Sequence, residues 1–86
     1  MRGQLLYAAL IAKYQAEIQE ALATLDIYFN NPVGIGEHPQ HLEEMDKMME
    51  KMSNAEDKLE NIKKYFNPDG SLKESVPQML AELLHN

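Results

Sequence analysis

Residues 4–30 read QLLYAALIAKYQAEIQEALATLDIYFN, a run without proline or glycine. Within it Tyr7, Ile11, Tyr14, Ile18, Leu22, Leu25 and Phe29 recur at steps of three or four. That recurrence is one apolar face of an α-helix. Asn31-Pro32 ends the run, because the residue ahead of a proline is pushed out of the helical region. The spacing predicts a helix over 4–30.

Working outward, Val33-Gly34-Ile35-Gly36-Glu37-His38 reads as the body of a loop over 31–38, with two glycines free to reverse the chain. Pro39 suits the first turn of a helix, where its missing N–H costs nothing. A second helix is predicted over 39–66, with a stripe of Leu42, Met45, Met49, Met52, Ala55, Leu59, Ile62 and Phe66. Asn67-Pro68-Asp69-Gly70 marks a turn over 67–71. Ser71-x-x-Glu74 and Ser75-x-x-Gln78 both match a capping box, and Pro77 favours the later start. A short third helix is therefore predicted over 75–84, with Met79, Leu80, Leu83 and Leu84 on its apolar side.

The two long stripes pair. Residues level with one another in an antiparallel pair have position numbers with a constant sum. From Phe29 with Leu42 to Tyr7 with Ile62, seven layers give sums of 69 to 71. The expected fold is all-α: a long antiparallel helical hairpin plus a short C-terminal helix, one domain over 1–86. Helix three should dock Met79, Leu80, Leu83 and Leu84 over Leu5, Leu6 and Leu10. Tyr28 and Met48 are left without a partner in the chain. Pairing two hairpins as a helical bundle would cover them, so a homo-oligomer, with a dimer favoured, is the expected state, its surface formed by Met48, Tyr28 and the broad apolar side of helix one that Leu5, Leu6, Ala9 and Leu10 widen.

Composition narrows the function. The chain has 86 residues, 44% of them hydrophobic, no cysteine and a formal net charge of −6. These values exclude a two-domain enzyme, a disulfide scaffold, a disordered chain and a nucleic-acid binder relying on positive charge. Arg2 followed by Leu5–Ala12 imitates a signal peptide, but Lys13 ends the apolar run early and acids follow. The run is far short of the ~20 residues that span a bilayer. No membrane and no nucleic-acid partner is expected, and the expected compartment is the cytoplasm.

The chemistry-bearing residues are sparse. His38 and His41 are weak metal candidates, since one His-x-x-His with nearby Glu43 and Glu44 lacks a third well-placed ligand. The plainer reading leaves the histidines in solvent at a helix start. Gly34-x-Gly36 lacks the strand, the further glycine and the lysine of a phosphate-binding loop. No serine or cysteine has a placed base, so no catalytic residue, no cofactor and no enzyme activity is expected. Met45, Met48, Met49 and Met52 suit either a bundle core or an adaptable partner surface. The interaction candidates are Tyr28, Val33, Ile35 and Met48. Lys47, Lys51 and Lys58 lie three or four residues from acids, as on a solvated, ion-paired face.

Asn31-Pro32-Val33-Gly34-Ile35-Gly36-Glu37-His38-Pro39, followed by a charged helix with Ala55-Glu56-Asp57-Lys58-Leu59, resembles a segment of small, functionally uncharacterised helical proteins of tailed phages, those of T4-like marine cyanophages above all. The resemblance spans roughly residues 25–66. It implies a viral origin, and hence the host cytoplasm, but no activity, cofactor or catalytic residue. The expected function is a non-enzymatic protein–protein interaction or assembly module. The alternative is a regulatory adaptor that binds a host or viral protein through the Met-rich patch or the loop tip.

Overall fold

The structure is a computed structural model and describes residues 2–31 and 41–85. Val33, Ile35, His38 and the expected start of the second helix at Pro39 lie outside the described residues. Three helices follow one another: α1 (Arg2–Asn30), α2 (His41–Tyr65) and α3 (Ser75–Leu84). The described residues contain no strand, only a single bridge between Phe66 and Leu72. The fold is all-α.

Helix α2 is electrostatically well made. Glu43 and Glu44 lie in its first turn and Lys63 and Lys64 in its last, each opposite in sign to the helix end beside it. Helix α1 has no such charges at either end, so it depends more on packing.

Helices α1 and α2 pack along each other. Tyr28 meets His41 edge-on, with ring centroids 5.5 Å apart. Glu20 pairs with Lys51 at 2.7 Å, and Lys58 Nζ stands 6.0 Å from the Tyr14 ring centroid. The buried or half-buried positions of α1 include Tyr7, Ile11, Tyr14, Ile18, Ala21, Leu25 and Tyr28; those of α2 include His41, Met45, Met48, Met52, Ala55, Leu59 and Ile62. Both sets alternate steps of four and three without a break. This is the 3.5-residue repeat of helices that wrap around one another.

Five stripe residues expected inside are therefore outside. Leu22 is 52% exposed, Phe29 68%, Leu42 80%, Met49 44% and Phe66 37%. Leu22 and Phe29 in the second half of α1, and Leu42 and Met49 in the first half of α2, each lie one residue beyond the 3.5 repeat, whereas Phe66 keeps to it but lies past the end of α2. The 3.5 repeat selects Ala21 and Tyr28 instead of Leu22 and Phe29, and Met48 and His41 instead of Met49 and Leu42.

The turn after α2 closes on itself. Asn67 N–H donates to the Ser71 carbonyl, Gly70 N–H to the Asn67 carbonyl and Lys73 N–H to the Tyr65 carbonyl. The Asp69 carboxylate accepts from Ser71 N–H at 2.9 Å and from Ser71 Oγ–H at 2.6 Å. These two bonds, the hydroxyl's first, hold the Asp69 carboxyl below its ordinary pKa. Gly70 has φ +88°, a left-handed conformation that glycine adopts without a Cβ penalty.

This turn seats against the first turn of α1. A Cβ on Gly70 would lie 2.9 Å from both the Gly3 Cα and carbonyl oxygen, and one on Gly3 would overlap the Asp69 carbonyl oxygen. Two glycines thus let two backbones touch. The turn, not α3, is what meets the end of α1, and α3 does not cover Leu5, Leu6 and Leu10. Leu5 is 70% exposed and Leu6 65%, while Leu83 and Leu84 on α3 are 72% and 85% exposed. Within α3 only Val76 is buried. Ser75 opens that helix from inside, and Glu74 precedes it with helical dihedrals and no side-chain cap bond. The expected capping box is not formed.

Candidate interaction surface

Little of this chain is hidden. Its buried hydrophobic residues are Ala21, Leu25, Ala55 and Val76 among the described residues, and no large side chain is fully buried. The molecule measures 53 × 36 × 15 Å. Its thin dimension is little more than the roughly 10–12 Å diameter of one helix. The radius of gyration is 18.1 Å, against about 12 Å for a compact domain of this length. Domains hold their cores between two layers, and this chain supplies one.

The interaction candidates are placed unevenly. Tyr28 is half-buried and packs on His41, so it does have a partner within the chain. Met48 is half-buried too, in the α2 stripe that continues through Met45 and Met52. Of the four clustered methionines Met49 is the exposed one. Val33 and Ile35 lie outside the described residues. His41 is the first residue of α2, and His38 is outside the described residues. Among the described residues no three His, Asp or Glu side chains converge on a point that could hold a metal ion.

What α1 exposes was only partly legible. Beside the stripe that meets α2, a second set of positions, 5, 8, 12, 15, 19, 22, 26 and 29, also alternates steps of three and four, and every one is exposed. In order they are Leu, Ala, Ala, Gln, Gln, Leu, Asp and Phe. The one charge is Asp26, whose carboxylate accepts a 2.7 Å hydrogen bond from Asn30 Nδ2. The opposite flank of α1 carries Lys13, Glu17 and Glu20, and Glu20 is engaged by Lys51. The outer face of α2 is charged at almost every turn. A search of the sequence for a second 3–4 repeat, displaced from the first, would have found this face.

A second feature is an apolar groove of about 330 Å³ where α1 begins and α2 ends, between Leu6, Tyr7, Leu10 and Tyr14 of α1 and Ile62 and Phe66, with Gly3 and Gly70 at its end. It offers no charged group to orient a ligand. Among the described residues no helix is long and apolar enough to cross a membrane. Comparison with protein-family models, curated proteins and solved structures finds no match to this chain.

Proposed function

We propose that the chain is an antiparallel helical hairpin working as a non-enzymatic assembly module, and that its working form is a homo-oligomer, most simply a dimer. The antiparallel reading is supported by the order of cross-helix contacts: Tyr28 with His41, Glu20 with Lys51, Tyr14 with Lys58. As the α1 number falls, the α2 number rises.

Surface area carries the self-association reading. The chain exposes 6811 Å², about 1600 Å² more than the roughly 5200 Å² of a compact monomer of 9.9 kDa. A standard interface removes about 800 Å² per partner, and obligate homodimers remove more. The excess is thus the size that a permanent dimer hides. A small single layer also lacks the core to be stable alone. The adaptor alternative draws less support, because three of the four clustered methionines sit in the stripe shared with α1. The likeness of the loop to phage proteins carries no activity and adds none here.

Thermal unfolding followed by circular dichroism over a 100-fold range of concentration tests this reading. Association stabilises the folded state by mass action, so the melting temperature should climb with concentration. A melting temperature that stays constant over the range overturns self-association.

A further inference from the structure

We infer that the second copy docks on the sparsely charged face of α1, the seam from Leu5 to Phe29, rather than on Tyr28 and Met48. The inference rests on the self-association proposed above and assigns its surface. Three observations converge. The seam runs along α1 beside the stripe that meets α2, so a second helix can lie along it. It is exposed along its whole length, with Leu5, Leu22 and Phe29 at 70%, 52% and 68%. It also carries a single charge, Asp26, which Asn30 engages, in a chain of net charge −6, and two copies of like charge meet most closely where charge is sparse.

The area agrees. A seam of eight exposed positions along α1 suits the roughly 800 Å² per partner of a standard interface. Alanines at 8 and 12 let the two helix axes approach, and Leu22 and Phe29 supply the bulk that fills the space between them. Tyr28 and Met48 do not compete for this role, since both are spent between α1 and α2. Docking would turn one layer into two and put a core between them.

The test is sedimentation velocity of the full chain and three variants, with helical content measured alongside. Ala12→Glu and the isosteric Gln19→Glu each place a charge on the seam; Leu42→Glu places one on the exposed outer face of α2. At an isolated exposed position each change is close to neutral. The expected result is a wild-type dimer, a dimer for Leu42→Glu, and association weakened roughly 100-fold or more in both seam variants. Loss of helical signal in the seam variants at concentrations where Leu42→Glu stays folded counts as the same result, because a solvated position would not transmit it. A wild-type dimer with both seam variants still dimeric overturns the assigned surface and leaves self-association standing. A monomeric wild type overturns both.

Discussion

Replacing Gly3 by alanine sets two physical effects against each other. Position 3 is in the first turn of α1, and alanine outranks glycine inside a helix by up to ~1 kcal/mol. Helix propensity alone therefore expects a gain in stability. The structure expects a loss. The new Cβ would overlap the Asp69 carbonyl oxygen and stand 3.4 Å from its carbon and 3.5 Å from the Gly70 Cα. All of these are backbone atoms, with no flexible side chain to swing aside. Either the turn backs away from α1 or the first turn of α1 frays, and forced overpacking of this kind costs about 1–3 kcal/mol. Overlap with a backbone oxygen places the clash in the upper part of that range, so net of a full propensity gain Gly3→Ala should destabilise by roughly 1–2 kcal/mol. For a chain of this size that lowers the melting temperature by about 5–15 °C. Thermal unfolding at fixed protein concentration reads it directly. A variant as stable as the parent, or more stable, would show that the turn does not seat on Gly3.

Other changes probe the remaining parts. Leu25, 5% exposed between α1 and α2, should cost about 3 kcal/mol as Leu25→Ala, whereas Leu42→Ala, at a site 80% exposed, should stay within ~0.5 kcal/mol; urea unfolding showing equal losses would contradict the inward stripe. Asp69→Asn removes the carboxylate that accepts both Ser71 bonds. Because those bonds lower the folded-state pKa, their contribution is present above the unfolded value, about 4, and fades as pH falls through the folded one. Parent and Asp69→Asn should thus differ in melting temperature at pH 6 and converge as pH drops below about 4; a gap that widens in acid would reverse the sign of this linkage.

The helical content of the chain was legible because its signals are strong and local. A 27-residue stretch without a breaker, Asn31-Pro32, and Asn67-Pro68-Asp69-Gly70 divide the sequence with little ambiguity. Which residues face inward was less legible, and the reason is geometric. From Ile18 onward α1 offers two adjacent choices per turn, Ala21 or Leu22 and Tyr28 or Phe29. Size and a straight-helix period favour the second of each; the packing of α1 on α2 takes the first. The same slip misplaced Leu42 and Met49.

The candidate surface was hidden for a related reason. With Leu22 and Phe29 read as inward, the second seam of α1 keeps only Leu5 as a large apolar residue, among alanines, glutamines and Asp26. The site of α3 failed to be legible for a different cause. Nothing local in the sequence says that Gly3 and Gly70 touch, because the contact joins backbones 67 positions apart and uses no side chain. That contact gives the end of α1 to the turn and leaves the leucines of α3 exposed.

A second copy would complete the single layer of helices. Sedimentation equilibrium of the unaltered chain, at neutral pH and moderate salt over a wide range of concentration, tests it most directly. The expected result is a mass of twice the 9.9 kDa chain, held down to low micromolar concentration. A single species of 9.9 kDa that keeps its helical signal throughout would contradict it.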